Sequence, residues 1–338
     1  MCKQAQTATS PMDFAISVSN ITKTFEQWQR GTDAKSMLKN LIRPQKRVIT
    51  ALDDVSFTIA RGEFAAYAGA NGAGKSTTMK LLCGMLLPKQ GEISVLGLSP
   101  KKQRIALMRR LGVLFGNRCE LWWDHPVKQS FEWKKVVWDI DDSTYHKTLS
   151  RLIEVLDLGS ILNTFVRELS LGQRMKADLA LMLLHAPEVI LLDEPTIGLD
   201  VLAKRQMIGF LKDLNRTQGT TILVTSHDMD DLEEMAQRIL LLSDGRIAFD
   251  GAFDALRQRA GGIHRAVLTA DGQPPSIEGL SLLESSDNRH TYAMQEGMTM
   301  QKLLAHLATL PNVQDVQMQK APIEGVIAGM YRDWQEKR

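Results

Sequence analysis

The stretch that most constrains this chain is Phe64-Ala65-Ala66-Tyr67-Ala68 followed by Gly69-Ala70-Asn71-Gly72-Ala73-Gly74-Lys75-Ser76-Thr77. The short apolar run between Gly62 and Gly69 predicts a buried strand. The glycine run fits G-x-x-x-x-G-K-[ST], and Thr77 to Leu82 continues at helical spacing. Strand, glycine turn and helix in direct succession are the context in which such a loop wraps triphosphate groups. Glycines let successive N–H groups turn inward as a concave anion nest that side chains would obstruct. Lys75 is expected to reach the β- and γ-phosphates, and the Ser76 hydroxyl to ligate Mg²⁺. The helix N-terminus that follows favours negative charge. A glycine-rich turn without a ligand is the bland alternative, which the remaining sequence has to exclude.

Composition narrows the class. The chain has 338 residues, 44% of them hydrophobic and 24% charged, with a formal net charge of +2. That balance argues against a nucleic-acid binder working by bulk charge, and the length allows one large domain with a small one. No apolar run approaches the roughly 18–20 residues needed to span a bilayer. The densest runs, Val189 to Leu192 and Ile239 to Leu242, are strand-sized. Residues 1–12 are polar, carry no apolar signal core and read as a flexible N-terminus. Cys2, Cys83 and Cys119 form no C-x-x-C pair, which suits a reducing compartment.

Taken in order, residues 13–25 alternate as a half-exposed strand does. A basic insertion at 30–48 follows, with Arg30, Lys35, Lys39, Arg43, Lys46 and Arg47 against Asp33. Met37, Leu38, Leu41 and Ile42 give it an apolar stripe, so it reads either as a solvated surface insertion or as a segment lying on lipid headgroups. Strands are expected at 51–59, 91–97 and 113–115. From about 117 to 187 the period turns helical, with Val127, Phe131 and Trp138 on one face and Leu152, Val155 and Leu156 on another. Met175, Leu179, Met182 and Leu183 mark a further helix ending before Pro187. Doubly buried strands resume at 189–192 and 221–224. Residues 239–249 form a hairpin with Asp244-Gly245 at its turn. Beyond Gly251 the composition shifts to a small α+β accessory domain, 252–338, with a helix over 300–310.

Several stretches carry chemistry. Val189 to Leu192 delivers Asp193 and Glu194 at a strand end, where Asp193 can hold Mg²⁺ and Glu194 can orient or deprotonate a water. Leu169-Ser170-Leu171-Gly172-Gln173 offers a hydroxyl, free N–H groups and a positive dipole end, although alone it is simply an N-cap. His227, just past a strand, can hydrogen-bond a γ-phosphate, or it is an ordinary polar histidine.

The ordered set resembles the ATP-binding cassette (ABC) family, specifically the nucleotide-binding subunits of ABC transporters. Gly69 to Thr77 is similar to the Walker A loop, with Ala70 where proline is usual. Leu169 to Gln173 resembles the signature, with Leu171 replacing a glycine. Val189 to Glu194 resembles the Walker B strand and catalytic glutamate, Gly198-Leu199-Asp200 the D-loop, and His227 the switch histidine. Asn117 stands where the family carries the Q-loop glutamine, one methylene shorter, so either the loop moves closer or a water fills the gap. Phe115-Gly116-Asn117-Arg118, Leu121-Trp122-Trp123-Asp124 and Pro195-Thr196-Ile197-Gly198-Leu199-Asp200 look like bacterial exporter cassettes of the drug and viologen type.

The resemblance implies an α/β ABC-type ATPase core over 13–251, with an antiparallel β part and an inserted helical subdomain at about 117–187. It implies ATP and Mg²⁺, with Glu194 and His227 catalytic. It implies nucleotide contacts from Phe25 (on adenine), Gly69, Asn71, Gly72, Ala73, Gly74, Lys75, Ser76, Thr77, Asn117, Ser170, Gly172, Gln173 and Asp200. The metal ligands would be Ser76, Asp193 and Asn117. The implied partners are a permease on separate chains and a second cassette, a copy of this chain or a heteromeric mate, but no nucleic acid. The implied location is the inner face of the cell membrane, with Trp122 and Trp123 at the permease groove or else in core packing. The competing class is a soluble ABC ATPase of translation or regulation, which normally carries tandem cassettes. If the basic insertion lies on lipid, neutralising Arg43, Lys46 and Arg47 should weaken co-sedimentation with anionic liposomes; unchanged sedimentation would leave only the solvated loop.

Overall fold

The computed structural model describes residues 14–28, 46–116, 118–259, 264–271, 273–294, 297–310, 312–320 and 323–327. Residues 1–12, residues 30–45 of the basic insertion, and Asn117 lie outside the described residues. The chain divides into two compact units, residues 1–250 and 251–338.

In the first unit, β1 (Phe14–Trp28), β2 (Lys46–Ala60) and β4 (Gln90–Val95) form an antiparallel sheet in the order β2-β1-β4. A second sheet contains β3 (Phe64–Gly69), β5 (Leu111–Phe115), β6 (Val189–Asp193), β7 (Thr221–Thr225), β8 (Arg238–Ser243) and β9 (Arg246–Ala252), ordered β5-β6-β7-β3-β8-β9. From β5 to β8 its pairs are parallel. Every residue of β3 and β7 is buried, which is why these strands read as continuous apolar runs without alternation. Between the sheets lies one core, to which Ile16, Leu52, Tyr67, Met79, Leu191 and Leu240 contribute.

Helix α1 (Lys75–Leu82) leaves the glycine turn after β3, and α2 (Arg104–Met108) precedes β5. The helical block comprises α3 (Val127–Trp138), α4 (Asp142–Leu156) and α5 (Leu171–Leu183); α6 (Val201–Gln218) and α7 (Met229–Met235) flank β7 in sequence. Asp139 and Asp157 end α3 and α4 in the left-handed conformation usually given to glycine. At the β8–β9 turn Asp244 (φ 45°) and Gly245 (φ 76°) both have positive φ, as a two-residue type I′ turn requires.

Three expectations need correction. Strand β2 begins at Lys46 rather than 51, so residues 46–48 belong to the sheet: Arg47 pairs with Gln27, and Lys46 Nζ lies 2.7 Å from Glu26. The β-branched Val48 and Ile49 carry the strand through what reads as a charge run. Val155 does not share the buried face of Leu152 and Leu156; it is 53% exposed. Helix α2 escaped notice because five residues are too short to display a period.

The second unit holds α8 (Phe253–Arg259), β10 (His264–Ala270), β11 (Leu280–Ser286), β12 (Arg289–Met294), α9 (Met300–Leu307) and β13 (Val313–Lys320). Its strands pair antiparallel in the order β11-β12-β10-β13. Leu303 and Leu307 of α9 join Ala266, Leu268 and Tyr292 of the sheet in a separate core.

Arg238 ties together pieces of the first unit that are far apart in sequence. Its guanidinium donates to Asp250 at 2.6 and 2.8 Å, to Glu63 at 2.9 Å and to the Thr58 carbonyl at 3.1 Å. Charge-assisted bonds of this kind contribute about 1.5–3 kcal/mol each when partly shielded. Arg238→Met should therefore lower the unfolding free energy by about 2 kcal/mol in a urea titration; a loss under about 0.5 kcal/mol would show that solvent replaces these contacts.

Candidate nucleotide-binding site

The site is built where parallel strands end together. At the end of β3, a Cβ on Gly69 would lie 2.4 Å from the Leu242 carbonyl oxygen, so only glycine permits this approach. Gly74 (φ 115°) starts α1 without a side-chain cap, and a Cβ there would sit 2.6 Å from the Ala51 carbonyl oxygen. The first N–H groups of α1 are therefore available to an anion. Lys75 is buried, and its ammonium donates to the carbonyls of Gly69 (2.7 Å) and Ala70 (3.3 Å) in its own loop. Burial lowers its pKa, and the nearby charges of Glu194 and Asp193 oppose that shift.

Two strands away, β6 delivers Asp193. Its register partner on β7 is Thr225, whose hydroxyl donates to Asp193 Oδ1 at 2.7 Å. Glu194 adopts φ 58°, a left-handed conformation that costs a non-glycine residue about 1 kcal/mol or more. Its N–H is held by the Thr225 carbonyl and hydroxyl, both at 3.1 Å. This backbone twist turns the carboxylate toward His227, where Glu194 Oε2 accepts from the His227 N–H at 3.2 Å and from Nδ1 at 2.8 Å. A carboxylate only accepts, so Nδ1 carries the proton of that pair and Nε2 remains as the ring's other polar atom. Opposite, the Gly116 N–H donates to the Asp193 carbonyl at 2.7 Å, and a Cβ on Gly116 would lie 2.6 Å from the Glu194 carbonyl oxygen.

Asn71, Gly72, Gly74, Lys75, Ser76, Thr77, Glu194 and His227 line one cleft of about 470 Å³, together with Ala51 and Ile197. Ala73 is buried behind the loop, where its carbonyl accepts from the Gly245 N–H at 3.2 Å. A larger apolar cleft of about 530 Å³, between α4 and α6, holds none of the expected site residues, so size is no guide here. Among the described residues no group of three His, Cys, Asp or Glu could hold a metal alone. One hydroxyl (Ser76) and one carboxylate (Asp193) nevertheless suit Mg²⁺, which keeps waters and takes its other ligands from phosphates. The anion nest, the buried cation and this sparse donor set fit a Mg²⁺-triphosphate.

Other expected residues lie apart from the cleft. Ser170 N-caps α5: its hydroxyl accepts from the Gln173 N–H (3.2 Å), and Gln173 Oε1 accepts from the Ser170 N–H (2.9 Å), a capping box. Gly172 is in the first turn of α5. Asp200 N-caps α6, accepting from the Ala203 N–H at 2.8 Å. Leu171 packs on Gly198, where a Cβ would meet its Cδ2 at 2.7 Å. Phe25 is 37% exposed on β1 with the Lys23 ammonium 5.1 Å from its ring, and is opposite Ile49 on β2. A register shift between Lys23 and Thr24 leaves Ala51, which lines the cleft, unpaired between this pair and Leu52.

Sequence reasoning missed Thr225 and Gly116. Thr225 had a signal, a hydroxyl closing an otherwise apolar strand; the demand for glycine at 116 depends on a carbonyl from a distant strand.

Comparison with known proteins bears on the arrangement. A family model described as ABC transporter matches residues 52–197. The ABC transporter ATP-binding protein NatA of Bacillus subtilis is 32% identical over 212 residues, covering 63% of this chain and 86% of that protein. The "Probable multidrug ABC transporter ATP-binding protein YbhF" of Escherichia coli is 32% identical over 244 residues; the match covers 71% of this chain and 40% of that protein's length. A dimeric ATP-binding cassette solved in a post-hydrolysis state with ADP and Pi shares the fold (TM-score 0.59, 24% identity, 70% of this chain and 98% of that one).

Replacing Lys75 by methionine removes a charge-assisted contact worth about 1.5–3 kcal/mol. Titration with a fluorescent ATP analogue should show affinity falling by about tenfold or more. Unchanged affinity would make the loop a ligand-free turn.

Proposed function

The chain belongs to the ATP-binding proteins of ABC transporters, and from that premise we propose that two copies close on two ATP molecules to drive a separate membrane permease, in the export direction. The chain is an ATPase of this class. The observation that carries the proposal is what the cleft lacks. Phosphate loop, Glu194 and His227 line it, whereas Ser170 and Gly172 do not. A second subunit placed head to tail would bring its own Ser170 hydroxyl and α5 N-terminus to the γ-phosphate, completing the site. Around these elements Leu171, Ile197, Val201 and Leu202 are exposed, Val201 to 69% and Leu202 to 68%. Apolar residues left bare beside the signature and the Asp200 turn support an interface there.

Within such a site each residue has a task. The loop N–H groups from Gly69 to Thr77 and the Lys75 ammonium hold the β- and γ-phosphates. Ser76 and Asp193, with Asn117 as the resemblance implies, would hold bound Mg²⁺, which would neutralise phosphate charge. Glu194 orients the attacking water and accepts its proton, while His227 fixes Glu194 through Nδ1–H; its Nε2 donates to the γ-phosphate only in the imidazolium, where both ring nitrogens carry protons. The water oxygen bonds to the γ-phosphorus as the bond to the ADP oxygen breaks. Phe25, exposed on β1, would stack on the base, and Gln173 and Asp200 would brace the interface through the caps they form.

On the helical block, Trp122, Trp123 and Trp133 are exposed, and the Arg174 guanidinium lies 4.6 Å from the Trp123 ring. Exposed aromatics with a stacked arginine suit a permease contact. No helix among the described residues is long and apolar enough to cross a membrane, in keeping with a permease on separate chains and a site at the inner membrane face. Export rests on the multidrug name of one relative and on the exporter-like motifs.

Glu194→Gln should bind ATP, accumulate dimers in ATP and Mg²⁺ on size exclusion, and turn over at least about a hundredfold more slowly. Near-normal turnover would remove Glu194 from proton transfer, and a chain monomeric with ATP under all conditions would sink the paired-subunit reading.

A further inference from the structure

Asp178 is an anomaly on α5. Its neighbours Met175, Ala177, Leu179, Ala180, Leu181 and Met182 form an apolar buried face, yet Asp178 itself is only 6% exposed. Among the described residues no cation forms a salt bridge with it. Burying an unpaired carboxylate is costly, and a small apolar side chain would be buried at less expense. What the carboxylate has instead is backbone. Asp178 Oδ1 accepts the N–H groups of Glu120 (3.1 Å) and Leu121 (3.3 Å). The next N–H, of Trp122, goes to the hydroxyl of buried Ser130 on α3 at 3.0 Å. Three consecutive backbone donors of an irregular segment thus end on two helix side chains. Burial desolvates the carboxyl and raises its pKa to about 6, while the Cys119 thiol beside it and the two N–H donors act in the opposite direction.

This segment begins at the cleft. Gly116 is pinned to the Asp193 carbonyl by its N–H at 2.7 Å, and Asn117 falls in sequence between that anchor and the pair held by Asp178. Asp178 in turn lies eight positions after Ser170 on the same helix, about 12 Å along its axis. We infer that Asp178 is a positioning residue that couples the helix carrying Ser170 to the segment carrying Asn117, through the N–H groups of Glu120 and Leu121. The inference rests on the reading that Ser170 serves the partner's ATP and Asn117 its own. On that reading one buried carboxylate links the two ATP sites through a single subunit: a shift of α5 when Ser170 engages one nucleotide moves the loop at the other.

The test uses the full chain with Asp178→Leu, which removes the acceptor, Asp178→Asn, which keeps an oxygen acceptor, and Asp178→Ala. Hydrogen exchange of segment 118–124 is read beside the kcat, KM and Hill coefficient of ATP hydrolysis. In Asp178→Leu the amides of Glu120 and Leu121 should exchange about tenfold faster. Its kcat should fall about tenfold with KM within about twofold, and the Hill coefficient should fall toward 1. Asp178→Asn should restore all of these to within about threefold of wild type, which loss of charge alone would not allow. Wild-type exchange at 120–121 or an unchanged kcat in Asp178→Leu overturns the inference, as does Asp178→Asn being equally impaired. Should Asp178→Leu not fold, Asp178→Ala, which removes the same acceptor without adding bulk, decides: faster exchange at 120–121 with lowered kcat and unchanged KM supports the coupling, and wild-type values overturn it. A wild-type chain that hydrolyses no ATP would defeat the parent reading of the site, and the exchange arm would still decide the clamp.

Discussion

Parallel pairing of β3, β7 and β6 is the constraint on which everything else depends. Parallel strands in register end at one edge, and here that edge receives Gly69, the Thr225–His227 stretch and Asp193 with Glu194. Gly69, Asp193 and Thr225 come together because each is the last residue of a strand in this sheet, although Gly69 precedes the other two by more than a hundred positions. The Thr225–Asp193 hydrogen bond at 2.7 Å and the left-handed Glu194 then fix the direction of the two carboxylates. Local strain at Glu194 is sustained because the N–H of that residue is held by Thr225 from two directions.

The same edge explains why the site is one-sided. Glycines at 69, 74 and 116 let backbones approach to distances that a Cβ would forbid, and the result is an open concavity rather than an enclosed pocket. An open cleft around a charged ligand leaves one wall to water or to another molecule. The capped and polar start of α5, flanked by exposed apolar residues, has the complementary character: a hydroxyl, a positive helix end and no acidic residue in its first turn. With the subunits paired as proposed, binding free energy at such a site would become association free energy, the means by which nucleotide would move subunits.

Departures from the usual motif residues are absorbed locally. Leu171, in place of glycine, packs on Gly198, which has no side chain to obstruct it, so the signature turn and the Asp200 turn are joined by an apolar contact. The irregular segment after Gly116 is held by side chains rather than by a ladder of backbone bonds. Displacing the Asp178 acceptor would free two N–H groups at once.

Much of this was legible in the amino-acid order. Doubly buried strands announce themselves as apolar runs, the anion nest as glycines before Lys75-Ser76, the β8–β9 turn as Asp244-Gly245, and the start of α5 as a serine three positions before a glutamine. Each is a local rule with a local physical cause. The strand β2 was misplaced at its start because a charge run on an exposed edge looks like a loop until its partner strand is known. The demand for glycine at 116, the threonine that orients Asp193, and the buried carboxylate of Asp178 were decided only by tertiary structure. Their reasons are carbonyls and N–H groups delivered from other strands and helices. The amino-acid order carried the motifs of the chemistry, and the resemblance they bear implied that Ser170 serves a second subunit's site. The packing supplies the physical reason that it stands outside the cleft of its own subunit, because α5 belongs to the helical block and the phosphate loop to the sheet.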